Sequence, residues 1–127
     1  MRRKEYEILF KLAIDDFIVV EKTINDDEIS NEIKLFHLQQ SIEKLLKSIL
    51  SYHKIIYPKT HRLEELIELC RERKITLPNY VDEFETLTMF AVDFRYDFIE
   101  DEPIDIKYYL SKVKNFIEFV KEEYRFK

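Results

Sequence analysis

Gln40, Glu43, Lys44 and Lys47 bring an amide, a carboxylate and two ammonium groups into eight consecutive residues. With Phe36 they recur at three- and four-residue steps, a spacing that shares one face of a helix. Leu35, Leu38, Ile42, Leu45, Leu46 and Ile49 form the apolar face roughly opposite. A polar face of this kind can simply be solvated, with Glu43 and Lys47 in an i,i+4 order worth about 0.2–0.5 kcal/mol in an isolated helix. It can also meet a phosphate or a base through the amide and the two ammonium groups. Spacing alone favours solvation.

Arg95 is the second candidate. It falls beside Thr88 at the edge of the stripe formed by Phe84, Leu87, Ala91 and Phe94. A guanidinium drawn towards apolar surroundings needs an anion. Asp97, Glu100, Asp101 and Glu102 offer an internal salt bridge, whereas a phosphate would be gripped bidentately. The acidic run favours the internal bridge. His61, beside Thr60 at a helix start, has the position of a capping or packing residue. His37 and His53 lie on and at the end of another helix, away from any Cys or carboxylate motif. Nothing has metal-ligand spacing, so neither metal nor cofactor is expected. A Gly-rich phosphate loop is excluded because the chain contains no Gly. Cys70 falls on an apolar stripe and reads as a small core residue. Of the tyrosines, Tyr96 and Tyr108 suit surface roles best.

Five helices must position these groups. The first is expected over about 3–24, where Tyr6, Leu9, Phe10, Ala13, Phe17, Val20 and Ile24 make one stripe. Asn25-Asp26-Asp27 should stop it and cap the second, over about 28–55. Pro58 enforces a loop, because it disfavours helical geometry at Tyr57. Thr60 is the expected cap of a short third helix burying Leu63, Leu66, Ile67 and Cys70. Leu77-Pro78-Asn79 is the next break, with Asn79 as cap. The fourth helix, over about 80–99, carries Tyr80, Phe84, Leu87, Ala91, Phe94 and Phe98, with Val81, Met89, Phe90 and Val92 adding apolar surface elsewhere. Being the most apolar, it should be central or contribute to a subunit interface. An acidic turn, Glu100-Asp101-Glu102-Pro103, leads to a fifth helix over about 104–124, burying Tyr109, Val113, Phe116, Ile117, Val120 and Tyr124.

The 127 residues fit one domain, 1–127, with a single core. Absence of Gly argues against hairpins and sheets, and short connections imply an antiparallel, up-and-down bundle of about five helices. A net charge of -5 disfavours general binding to duplex nucleic acid, which calls for a basic surface. Arg2-Arg3-Lys4 reads as a solvated terminus. A single cysteine points to a reducing, cytoplasmic setting. Asp15, Asp16 and Glu21 interrupt the first apolar stripe, so neither a signal peptide nor a membrane span is expected.

The stretch from Phe36 to Lys47, with Phe-His, Gln-Gln, Glu-Lys and Leu-Lys in that order, resembles the second helix of HEPN domains. Pro58-Lys59-Thr60-His61-Arg62-Leu63 is similar to that family's approach to its third helix, and Phe94-Arg95-Tyr96 to its arginine-tyrosine pair. The resemblance implies an all-helical module that dimerises, partners a minimal nucleotidyltransferase and engages a nucleotide. In the family's ribonucleases a catalytic histidine follows the arginine after a gap of four to six residues. Here those positions hold Glu100, Asp101 and Glu102, and no histidine lies beyond His61. The expected function is therefore a nucleotide-binding or regulatory module without ribonuclease chemistry. In it Gln40, Lys44 and Lys47 contact phosphate, Glu43 orients the cations, and His61 and Arg95 line the same cleft. Tyr96 is a site that a partner enzyme modifies in some relatives. The rivals are a metal-independent ribonuclease toxin with an atypical site around Arg95, and a helical adaptor with no small-molecule site.

Overall fold

In a computed structural model, residues 3–91 and 104–126 are described. Four α-helices and one 3-10 helix run in the order α1 (Glu5–Thr23), α2 (Asn31–Tyr52), α3 (Leu63–Glu72), the 3-10 helix (Asn79–Phe90) and α4 (Ile106–Tyr124). Among the described residues there is no strand. The protein is all-α, as its patterning and lack of Gly imply.

The helix starts use local acceptors. The Ser30 hydroxyl accepts from the Ile33 amide at 3.3 Å and opens α2. Asp105 accepts from the Tyr108 amide at 3.1 Å and opens α4. The expected cap at Asn25-Asp26-Asp27 is thus displaced to Ser30, because Asp26 instead closes a turn on the Glu28 amide at 2.9 Å. Thr60 behaves alike: its hydroxyl accepts from the Arg62 amide at 3.1 Å, and α3 begins two residues later than expected, with Arg62 at the cap position. Pro78, not Asn79, precedes the 3-10 helix.

The ends of α2 and α3 show what a glycine-free chain does where glycine is usual. Lys54 and Lys74 both take φ of 59°. The Ile55 amide donates to the Leu50 carbonyl and the Ile75 amide to the Cys70 carbonyl, each at 2.9 Å. These are six-residue C-terminal loops whose left-handed position normally belongs to Gly. Lysine there adds positive charge where helix carbonyls are exposed, which offsets part of the steric cost.

Helix α2 is the centre of the bundle and packs against every other element. Leu35, Leu38, Ile42, Leu45, Leu46 and Ile49 are all buried, as their spacing predicts. So are the polar Lys34, Gln39, Ser41, Glu43 and Ser48. The reason is that neighbours cover α2 on more than one side. Burial of polar groups demands partners, and each has one. Ser41 donates to the Ala13 carbonyl at 2.7 Å, where small residues let α1 and α2 cross closely. Lys34 caps the end of the α1–α2 link through the Asp26 carbonyl at 2.9 Å.

The expectation of a long, central fourth α-helix is corrected. From Asn79 to Phe90 the chain is a 3-10 helix, and its buried residues are Val81, Phe84, Leu87 and Phe90. Every third residue is buried because three residues complete one 3-10 turn. The same apolar letters satisfy both periods, and only packing selects one. Tyr80 is displaced to a partly buried position, edge-on to Phe84 at 6.0 Å. Phe94 and Phe98 lie outside the described residues.

The connection 53–62 runs back along α2, so that α3 begins beside the middle of α2 and ends near its C-terminus. Arg71 and Asp82 tie α3 to the antiparallel 3-10 helix through two bonds of 2.7 and 2.9 Å. At the far end the chain folds over in the left-handed region at Arg125. Phe126 then packs on Tyr6, Phe10, Tyr52 and Tyr124 with ring centroids 5.0–5.7 Å apart. Among the described residues no helix is long and apolar enough to cross a membrane.

Candidate functional site

The site is built outward from Glu43. Its carboxylate, 6% exposed, sits on the side of α2 that faces the returning connection. Oε2 accepts from Lys47 Nζ at 2.9 Å. Oε1 accepts from Gln39 Nε2 and from His61 Nδ1, each at 3.0 Å. Gln39 Nε2 also donates to the His61 carbonyl at 3.0 Å, so the backbone and the ring of His61 are both anchored to α2. Gln40 joins through the Gln39 side-chain oxygen at 2.6 Å.

Electrostatics follow from this geometry. Burial pushes the Glu43 carboxyl upward, but the hydrogen bonds from Lys47, Gln39 and His61 outweigh it and hold the group below the usual carboxylate range. The carboxylate is therefore charged at neutral pH and orients two groups. One is Lys47, 15% exposed, whose ammonium also lies 5.6 Å from the centre of the Tyr57 ring. The other is His61, 54% exposed. With the Nδ1 proton given to Glu43, the neutral ring carries its lone pair on Nε2. A buried carboxylate behind an accessible imidazole is an arrangement suited to accepting or donating a proton, or to binding a polar ligand.

A second chain of contacts extends the site. The Tyr57 hydroxyl donates to Glu5 at 2.7 Å. Burial, then this carboxylate, push the phenol up to about 12. Ser51 donates to the other Glu5 oxygen at 3.1 Å. The returning connection is thereby pinned to α1 as well as α2.

Of the residues singled out in the sequence, the structure brings Glu43, Lys47 and His61 together, with Gln40 attached at the edge. It does not bring Lys44. That ammonium is 2.6 Å from Asp16 Oδ2 on α1, and His37 Nδ1 is 2.8 Å from the other Asp16 oxygen. Consecutive helical residues project about 100° apart, so Lys44 and Glu43 look towards different neighbours. Arg95 and Tyr96 lie outside the described residues. Gln39 is the member that sequence reading missed. A signal was there: Gln39, Glu43 and Lys47 form one four-residue row, and Gln40 and Lys44 form another.

Two further groups stand outside this network. Cys70 is fully buried, and burial pushes its thiol up to about 12, which removes it as a nucleophile. Glu64 accepts from Thr88 at 3.1 Å and from Arg62 at 2.8 Å, a link that fixes the start of α3 against the 3-10 helix. Among the described residues no cluster of His, Cys, Asp or Glu has the makings of a metal site.

No curated protein and no solved structure matches the chain. The sequence profile of the HEPN domain matches residues 6–123, from the start of α1 to the end of α4. The segment carrying Gln39, Glu43, Lys47 and His61 lies inside that match, and the chain belongs to the HEPN domain family.

Proposed function

We propose that the protein is a nucleotide-binding or regulatory HEPN module, which dimerises, partners a nucleotidyltransferase and has no ribonuclease chemistry of its own. The observation that carries this reading is the Glu43 carboxylate, which holds Lys47 at 2.9 Å and the accessible His61 at 3.0 Å on one edge of the bundle. A cation beside a hydrogen-bonding ring suits a phosphorylated ligand. The lack of any histidine beyond His61 removes the residue on which the family's RNA cleavage depends. Ile8, Leu12 and Val19 share one exposed face of α1, which supports association through that helix.

The test is a thermal-shift panel of nucleotides, with the mass in solution measured in parallel. A nucleotide at a hundred times its dissociation constant stabilises by about 2.7 kcal/mol. A shift lost in Lys47→Ala supports the reading. RNA cleavage in the presence of a chelator would replace it with the toxin reading, and a monomer unchanged by Leu12→Glu would remove the dimer.

A further inference from the structure

The chain holds three histidines, and the structure gives each a different setting. His53 has its Nε2 engaged by the Tyr124 hydroxyl at 3.1 Å. His37 meets Asp16 through Nδ1 at 2.8 Å, but its ring stands edge-on to Phe36 at 5.2 Å and is 27% exposed. His61 is 54% exposed, and its Nδ1 lies 3.0 Å from the buried Glu43 carboxylate. Among the described residues its Nε2 has no hydrogen-bond partner.

Three consequences follow for the His61 ring. The first is a fixed tautomer. An ionised carboxylate can only accept, so Nδ1 carries the proton and Nε2 the lone pair. The second is orientation. Gln39 Nε2 donates both to the His61 carbonyl and to Glu43 Oε1, each at 3.0 Å. Backbone, ring and carboxylate thus close one cycle of contacts, and Nε2, across the ring from Nδ1, points away from Glu43. The third is charge. A bond formed at Nε2 makes the ring cationic, and Glu43 already faces the nitrogen that shares this charge. Lys47 completes the set, because Glu43 takes one of the three ammonium donors and leaves two for the oxygens of an incoming group. A nucleophile backed by a carboxylate, itself oriented by a third group, is the pattern of covalent catalysis.

We infer that His61 accepts a phosphoryl group on Nε2 from a small acyl phosphate. The Nε2 lone pair attacks phosphorus, and the N–P bond forms as the bond from phosphorus to the acyl oxygen breaks. The carboxylate leaves with that electron pair and needs no proton, being a weak base. The Nδ1 proton stays between the ring and Glu43. The ring gains one positive charge while the departing carboxylate carries one negative charge, and Glu43 pairs with the phosphoimidazolium. This transfer uses the Glu43 cluster of the proposed function but requires neither a bound nucleotide nor a dimer.

The experiment is incubation of the whole chain with acetyl phosphate. Initial uptake is followed by intact mass, and the site and ring nitrogen are read by phosphorus NMR and peptide mapping. The expected result is one phosphoryl group on His61 Nε2, ahead of any at His37 or His53. Uptake should vanish in His61→Asn, whose exposed position leaves the fold intact, and persist in His37→Asn and His53→Asn. Glu43→Gln should slow it by about tenfold or more relative to reaction at His53 in the same sample. Equal rates at His53 and His61, phosphate on Nδ1 of His61, an unchanged rate in Glu43→Gln, or no uptake would each overturn the inference. A nucleotide-dependent thermal shift lost in Lys47→Ala would still stand in that event, so the two failures are distinguishable.

Discussion

His61 Nδ1 lies 3.0 Å from Glu43 Oε1 across 18 residues of chain, and the second oxygen of that same carboxylate holds Lys47. One buried anion therefore sets the orientation of two separate groups. Glu43→Ala leaves Lys47 largely buried without its counter-charge, and an uncompensated pair of this kind costs about 2–4 kcal/mol. Glu43→Gln keeps a hydrogen-bonding group and should cost less. Denaturant unfolding measures both, and the His61 ring resonances should broaden or shift in the alanine variant as the ring loses its anchor.

Lys44 and Lys47 should behave differently although they are one helical turn apart. Lys44 is bonded to Asp16, and a double-mutant cycle of Lys44→Met with Asp16→Asn should give a coupling of about 1 kcal/mol. Nucleotide-dependent stabilisation should survive Lys44→Met and fall in Lys47→Met. Equal losses in the two variants would show that both cations reach the ligand.

The left-handed lysines offer a stability test. Lys54→Gly removes a steric cost of about 1–2 kcal/mol and adds about 0.5–1 kcal/mol of chain entropy to the unfolded state. The expected gain is about 0.5–1 kcal/mol, or a few degrees in melting temperature. Lys74→Gly should gain similarly, since its φ is the same.

Acid should unfold the protein through Glu43. Its folded carboxyl sits below the ordinary value of 4.5, so the contribution is complete above that pH and is lost as pH falls through the folded value. Melting temperature should therefore drop below about pH 4.5, less steeply in Glu43→Gln.

Alkali should act through the tyrosines. Burial, first, raises Tyr57 and Tyr124 to about 12, against an ordinary value of 10.0. Their contribution is present below pH 10 and is lost between 10 and 12. An ultraviolet titration should show late-ionising phenols, one fewer in Tyr57→Phe.

The helices, the apolar rows of α1, α2 and α4, and the family were legible in the residues themselves. Their signals are local: a 3.6-residue period, a proline, a short polar cap and three motifs in order. Leu38, Ile42 and Leu45 need only their spacing to be placed in a core. The fourth segment was harder, because Val81, Phe84, Leu87 and Phe90 fit a three-residue period while Phe84, Leu87 and Ala91 fit an α-helical one. Both are consistent with the letters, and contact with α2 and α3 decides between them.

The candidate site divides in the same way. That Glu43, Lys47 and His61 were candidates was readable from their types and order, and the structure brings the three together. That Gln39 is the buried link, and that Lys44 turns to Asp16 instead, depends on how α2 is rotated against its neighbours. Sequence by itself determined which segments coil and which faces shed water, because those preferences act between residues a turn apart. Tertiary structure alone decided which charge meets which, because an ion pair is chosen by whatever packing brings within a few ångströms.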